Sequence, residues 1–147
     1  MKDRRRGYVS ALFESGIVPD PALTLTLSGP EEGWMAGIAA FLQSRRPTAV
    51  LCGNDYLAHI VLRVCREQGV KVPDDLSLIG FDDIDYSSHC DPPLTTVRVE
   101  KEEMGRVAMR HLYARITAEP GRSPLVRERH ELPVTLIVRG SCAGIGC

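Results

Sequence analysis

Apolar and polar residues follow one another along the first half of the chain in a pattern that predicts helices and strands in turn. Apolar positions three and four apart predict helices, whereas alternating or continuous short apolar runs predict strands. The predicted order is helix Arg4–Ser15, strand Leu23–Leu27, helix Glu31–Ser44, strand Thr48–Cys52, a helix from Asn54 to Gln68, and strand Leu76–Phe81. Alternation of this kind favours right-handed crossovers and a mostly parallel sheet, so the fold class is α/β with helices on both faces.

The patterns predict that some strands are buried on one face and others on both. Leu23–Leu27 alternates leucine with threonine, which predicts one apolar face, and the apolar run Thr48–Cys52 predicts a strand covered on both faces. The second half is less regular. It predicts strand Leu94–Val99, helix Lys101–Thr117, a polar loop over Glu119–Glu128 and strand Leu132–Arg139.

Composition narrows the classes of protein that fit. The chain has 147 residues and a net charge of −1, so it has no overall attraction to nucleic acid. It contains no apolar run of about 20 residues, and its charged start does not resemble a signal peptide, so we expect neither a membrane span nor secretion. Cys52 and Cys65 lie in apolar runs and are expected to be reduced, buried side chains of a cytoplasmic protein.

Polar side chains follow two of the predicted strands, at the edge where open parallel sheets bind ligands. Asn54 and Asp55 come after strand Thr48–Cys52, and Asp82 and Asp83 come after strand Leu76–Phe81. Carboxylates accept hydrogen bonds from hydroxyls, and an amide both donates and accepts, so the set suits a hydroxylated small molecule. Helix capping is the alternative: it is favoured for Asp55 and stands even with ligand binding for Asn54, whereas Asp82 favours the ligand.

Catalytic and metal sites find little support in the sequence. Asp82, Asp83, Asp85 and His89 could approach a hard cation, but their spacing matches no calcium loop, and a solvated loop is favoured. No nucleophile is paired with a base, and no glycine-rich loop precedes a helix. We therefore predict no catalytic residue, no metal and no cofactor.

Several linked segments resemble the lactose/galactose-repressor (LacI/GalR) family of bacterial transcription regulators. Their order and spacing both agree, over nearly all of residues 4–141. The matching segments are Arg4-x-x-Gly7-Tyr8, Asn54-Asp55, Val72-Pro73-Asp74-Asp75-Leu76-Ser77-Leu78-Ile79-Gly80-Phe81-Asp82-Asp83, Pro92-Pro93-Leu94-Thr95-Thr96-Val97, Glu103-Met104-Gly105 and Leu132-Pro133-Val134-Thr135.

This resemblance implies a lobe similar to the type I periplasmic binding proteins, with an effector such as a sugar or nucleoside bound between two lobes. Arg4, Asn54 and Asp82 occupy positions that contact the effector in the family. A further contact, often aromatic, falls near Glu32; because Glu32 carries no ring, stacking on a sugar would depend on Trp34, two residues on. The family's dimer face corresponds here to His59, Leu62 and Cys90, with a plain surface strip as the alternative.

The resemblance also implies how the chain is organised. Residues 1–141 correspond to the sensor domain, within which helix 101–117 belongs to the other lobe in the family, and residues 142–147 form a tail. The DNA-reading headpiece and most of the amino-terminal lobe have no counterpart, so we expect a truncated cytoplasmic regulator that is a homodimer and reaches operator DNA only through the missing headpiece. A solute-binding protein of a sugar transport system is the alternative, and it would need an export signal.

Overall fold

The computed structural model describes residues 2–117 and 129–144, and these residues form four α-helices and four strands. The helices are α1 (Lys2–Glu14), α2 (Trp34–Arg45), α3 (Asp55–Gln68) and α4 (Lys101–Ile116), and the strands are β1 (Ala49–Leu51), β2 (Ser77–Asp82), β3 (Thr95–Val99) and β4 (Val134–Ile137). Short 3₁₀ turns occupy Pro21–Leu23, Glu31–Gly33 and Asp85–Ser88. The loop predicted over Glu119–Glu128 lies outside the described residues.

The strands form a sheet in the order β1-β2-β3-β4. β1 pairs with β2 and β2 with β3 in parallel, whereas β4 runs antiparallel to β3. The mostly parallel sheet predicted from the alternation is therefore confirmed. The register places Asp82, the last residue of β2, opposite Arg98 of β3, so charged side chains meet at the carboxyl edge of the sheet.

The core lies between the sheet and helix α3, with α2 packed against α3. α3 begins at the cap residue Asn54 and ends at Gly69, whose φ of 71° is the left-handed conformation that a helix terminus commonly adopts. Its apolar stripe shares the core with Leu78 of β2 and with Leu76 and Leu94, which directly precede β2 and β3. The most deeply buried apolar side chains are Ala58, Val64, Cys65, Leu76, Leu78 and Leu94. Cys52 and Cys65 are buried and free, as predicted.

The prediction of a strand over Leu23–Leu27 is wrong. Leu23 closes a 3₁₀ turn, and residues 24–27 are irregular, although Thr24 has extended dihedral angles. An alternating pattern favours an extended backbone, but a strand also needs a neighbour to complete its hydrogen-bond ladder, and the described residues supply none. Only Leu27 packs against the core, whereas Leu23 and Leu25 remain 47% and 40% exposed.

The expectation that Thr48–Cys52 is covered on both faces is also wrong. β1 lies at the edge of the sheet as described, and Leu51 is 48% exposed. A continuous apolar run is typical of a strand that is buried on both faces, but the helices or strands that bury it must come from elsewhere in the fold. α4 is similarly open, since Met109, Leu112 and Ile116 are each more than half exposed. None of the described helices combines the length and the apolar character that a bilayer crossing requires.

Candidate functional site

An ion pair between Arg4 and Asp82 joins α1 to the carboxyl end of β2. Arg4 Nη2 lies 3.0 Å from Asp82 Oδ1, and the two side chains are 34% and 32% exposed. Arg4 Nη1 also donates a hydrogen bond to the carbonyl oxygen of Gly53, and the guanidinium carbon lies 3.8 Å from the centroid of the Phe81 ring. The ring face attracts the cation and holds it over the end of the strand. The pair is thus fixed in place yet still open to solvent.

Asn54 follows Gly53 directly, so it stands beside the carbonyl that Arg4 contacts. Its Oδ1 accepts a hydrogen bond of 2.9 Å from the backbone N–H of Leu57, which makes it the amino-terminal cap of α3. This cap uses the side-chain oxygen and leaves the amide nitrogen for donation. The structure therefore brings Arg4, Asn54 and Asp82 to one edge of the sheet, and capping and ligand contact are compatible for Asn54.

Asp55 does not cap α3, contrary to the favoured prediction. It is the first residue of the helix and is completely buried, and its carboxylate turns inward. Oδ1 accepts from Thr96 Oγ1 at 2.5 Å, and Oδ2 accepts from Ser87 Oγ at 2.7 Å and from the Ile84 N–H at 2.9 Å. Asp55 therefore ties the start of α3 to β3 and to the loop that follows Asp82.

Gly80 is a feature of the sequence that indicates the close approach of the Asp55 carboxylate to β2. A Cβ atom at Gly80 would lie 2.1 Å from Asp55 Oδ1, well inside contact distance. A glycine within an otherwise apolar strand often marks the close approach of another group. The hydrogen-bond partners of Asp55 could not be predicted from the sequence, because they lie 29 to 41 residues away.

The backbone at the end of β2 adopts an unusual conformation at two successive aspartates. The φ angle is 112° at Asp82 and 48° at Asp83. Residues in such sparsely populated regions cost about 1–3 kcal/mol each and persist only where their surroundings hold them. The strain therefore lies at the residue that carries the candidate ligand-binding carboxylate.

The side chain of Asp83 is held by two cations, Arg98 of β3 and Arg139 just after β4. Its Oδ2 accepts from Arg98 Nε and its Oδ1 from Arg139 Nη2, both at 2.7 Å, and its side chain is only 8% exposed. Burial raises the pKa of Asp83, but hydrogen bonds from Arg139 and Arg98 outweigh that effect and bring the pKa below its usual range. Among the described residues, no group of three or more His, Cys, Asp or Glu side chains could hold a metal ion.

Of the two other predicted ligand contacts, Glu32 lies on the 3₁₀ turn before α2 and Trp34 is the first residue of α2. Glu32 is exposed, and its neighbour Glu31 accepts a hydrogen bond from the hydroxyl of Tyr56, next to the start of α3. Trp34 is half-buried, and its indole Nε1 is buried without a hydrogen-bond partner in the part of the chain described. Neither Glu32 nor Trp34 hydrogen-bonds to the Arg4–Asp82 pair there. Sequence reasoning missed the Glu31–Tyr56 contact, since no local pattern relates the two residues.

The predicted dimer residues lie around the middle of α3 and the loop after β2. His59 Nε2 is 3.2 Å from Ser87 Oγ, and its ring packs edge-on against Tyr86. Burial lowers the pKa of His59, against a smaller opposing effect from Asp55. Leu62 and Cys90 are only 8% and 9% exposed within the single chain. Tyr86, which is 62% exposed, presents more surface to a partner than either of them.

The similarity of the chain to known proteins identifies its family. The periplasmic binding protein-like domain family matches residues 1–142. The chain belongs to this family. It is 44% identical over 110 residues to the HTH-type transcriptional repressor CytR of Escherichia coli K12, an alignment that covers 72% of this chain and 31% of the repressor.

Two solved structures of LacI-family regulators show the same fold. One, from Sanguibacter keddieii, has a TM-score of 0.85 and 33% identity and covers 96% of this chain and 53% of its own. The other, from Enterococcus faecium and solved with bound ribose, has a TM-score of 0.81 and 32% identity and covers 97% and 52%.

The periplasmic-binding-protein-like fold and the resemblance to LacI-type regulators are thereby confirmed. The chain corresponds to the periplasmic-binding-protein-like domain of these proteins, and it spans about a third to a half of their length. Because the relatives are transcription regulators, a transport solute-binding protein is not favoured.

Proposed function

We propose that the chain is the effector-binding part of a LacI-type repressor, and that its effector is an uncharged, polyhydroxylated molecule such as a pentose or a nucleoside. The observation that carries the proposal is the half-open Arg4–Asp82 pair at the carboxyl edge of the sheet. Open α/β sheets bind ligands at this edge. A guanidinium and a carboxylate of opposite charge suit a ligand that offers both donors and acceptors and has no net charge.

The chemistry of binding follows from the hydrogen-bonding capacity of each side chain. The Asp82 carboxylate only accepts, so it takes hydrogens from ligand hydroxyls, whereas Arg4 only donates and binds ligand oxygens. The amide nitrogen of Asn54 adds a donor beside them. The hydrogen bond between Arg4 and Asp82 uses one donor and one carboxylate oxygen, so further donors and lone pairs of the two side chains remain for an effector. The Enterococcus faecium regulator with bound ribose supports a sugar-like ligand.

Self-association, operator binding and a cytoplasmic location belong to the same proposal. The exposed ring of Tyr86 beside His59 supports a contact between two copies along this face of α3. DNA reading would come from a headpiece outside this chain, since the net charge of −1 gives little attraction to phosphates. The relatives are repressors, which favours a role in binding over one in catalysis.

The proposal is tested by titrating the ¹⁵N-labelled chain with ribose, adenosine and cytidine and following amide and side-chain shifts by NMR. One wall of a crevice supplies only part of the contacts, so we expect a Kd on the order of millimolar, about −4 kcal/mol. The largest shifts should cluster at Arg4, Gly53, Asn54 and Asp82. Asp82→Ala should cost about 1.5–3 kcal/mol, the value of a charge-assisted hydrogen bond, and abolish the shifts.

A matched control separates this effect from a general change in charge. Asp85→Ala removes an exposed carboxylate from the same loop and should leave the titration unchanged. Shifts that spread away from the Arg4–Asp82 pair, or an Asp82→Ala variant that binds like the wild type, would contradict the proposed site.

A further inference from the structure

The peptide that follows Asp83 is fixed on both sides by charged groups from distant parts of the chain. Lys101 Nζ, at the start of α4, donates to the Asp83 carbonyl oxygen at 2.8 Å. The N–H of the next residue, Ile84, donates to the buried Asp55 carboxylate at 2.9 Å. Together with the two guanidinium groups on the Asp83 side chain, these contacts connect the end of β2 to β3, α4, α3 and the segment after β4.

Asp82 is paired with Arg98 as the last residue of β2, but its side chain is held less firmly than that of Asp83. Its side chain is about one-third exposed, and its ion pair leads to Arg4, itself about one-third exposed. Its φ of 112° lies in a region that L-residues rarely adopt. Residues beyond the strand pairing must therefore help to maintain this conformation, and Asp83, which follows directly, is held by Arg98, Arg139 and Lys101.

We propose that Asp83 is a positioning residue for the candidate effector site: anchored by Arg98, Arg139 and Lys101, it holds Asp82 in its strained conformation and aims the Asp82 carboxylate at Arg4 and the crevice. In this role Asp83 acts through Asp82, since its own carboxylate is only 8% exposed and is taken up by Arg98 and Arg139. Arg139 reinforces the anchor, because its Nη1 also donates to the Leu94 carbonyl oxygen at 2.8 Å. The effect on ligand affinity rests on the proposed function, whereas the effect on Arg4 does not.

The substitution Asp83→Asn tests this role with little change in shape. Asparagine tolerates the left-handed backbone as aspartate does, but it carries no charge for Arg98 and Arg139. The first measurement is hydrogen exchange of the Arg4 guanidinium, followed by NMR without ligand. Release of Asp82 should speed this exchange at least about fivefold, the change that roughly 1 kcal/mol makes in an equilibrium. The second is the ribose titration, in which the Asp82 shifts should weaken.

Two further variants keep the experiment interpretable. Asp85→Asn makes the same change of charge two residues on, at an exposed position, and should leave Arg4 exchange unaltered. If Asp83→Asn is too unstable to study, Arg98→Gln removes one of the two cations that hold Asp83, and the folded chain should tolerate it because the Arg98 side chain is 48% exposed. Arg98→Lys restores a cation and should recover part of the protection of the Arg4 guanidinium from exchange. Amide signals of Val64 and Leu78 report whether the core is intact.

The outcomes separate this proposal from the proposed function. Faster Arg4 exchange in Asp83→Asn or Arg98→Gln, with an intact core, supports the positioning role. If the same result comes with no ribose, adenosine or cytidine binding in the wild type, the positioning role stands and the ligand class is wrong. Unchanged Arg4 exchange in both Arg98→Gln and a folded Asp83→Asn overturns the proposal, as does an equal change in Asp85→Asn.

Discussion

The contact between Gly80 and the buried Asp55 carboxylate leads to a sharp prediction for Gly80→Ala. The added methyl group would lie 2.1 Å from Asp55 Oδ1 and 2.9 Å from Leu94 Cδ2, whereas ordinary contacts begin near 3.4 Å. Asp55 Oδ1 must therefore move by more than 1 Å, which breaks its 2.5 Å hydrogen bond from Thr96. Asp55 supports the loop after Asp82, so the substitution also tests how the candidate site is held.

Two effects determine how much stability the chain loses in Gly80→Ala. Overpacking a closed core costs about 1–3 kcal/mol, and losing a hydrogen bond to a buried charged group costs about 1.5–3 kcal/mol. If the two effects add, the free energy of unfolding should fall by about 2.5–6 kcal/mol. A domain of ordinary stability has about 5–15 kcal/mol in total, so the change is a large share.

Urea denaturation followed by circular dichroism measures this loss, with Gly105→Ala as the matched control. Gly105 is exposed within α4, and a Cβ atom there would meet nothing within 4 Å. Its replacement should raise stability by about 0.5–1 kcal/mol through helix propensity. A Gly80→Ala variant within about 1 kcal/mol of the wild type would refute the packing argument around Asp55.

Three further predictions follow from the structure. Burial lowers the pKa of His59 in the folded chain from its ordinary value of 6.5, so the unfolded chain binds the proton more readily. The free energy of unfolding should therefore be highest above pH 6.5 and should fall as the pH drops below that value. Urea denaturation at a series of pH values should show a smaller fall for His59→Gln than for the wild type. A thiol reagent mapped by mass spectrometry should label the half-exposed Cys142 well before Cys52, whose pKa is raised by burial to about 12; labelling at equal rates would contradict this burial. Tyr86→Asp should weaken self-association in sedimentation experiments while leaving the urea midpoint near that of the wild type, whereas Leu62→Asp should lower the midpoint because Leu62 is buried within the single chain.

Much of the architecture was predictable from the sequence, because helix and strand periodicity are local properties. α2, α3, β2 and α4 begin and end within a few residues of their predicted bounds. The mostly parallel sheet followed from the alternation of elements, and the family followed from linked motifs spread along the chain. The location of Asp82 at a carboxyl strand end was predictable for the same reason, since it depends only on where β2 ends.

Contacts between distant residues were decided by the tertiary structure alone. Whether Leu23–Leu27 becomes a strand depends on a neighbouring strand, and whether β1 is covered depends on what packs over it. The inward turn of Asp55 depends on hydroxyls of Ser87 and Thr96, 32 and 41 residues away. The anchoring of Asp83 by Arg139 joins residues 56 apart. Local patterns determine which backbone conformation each segment prefers, but the partners of a buried charge are set by how the segments come together.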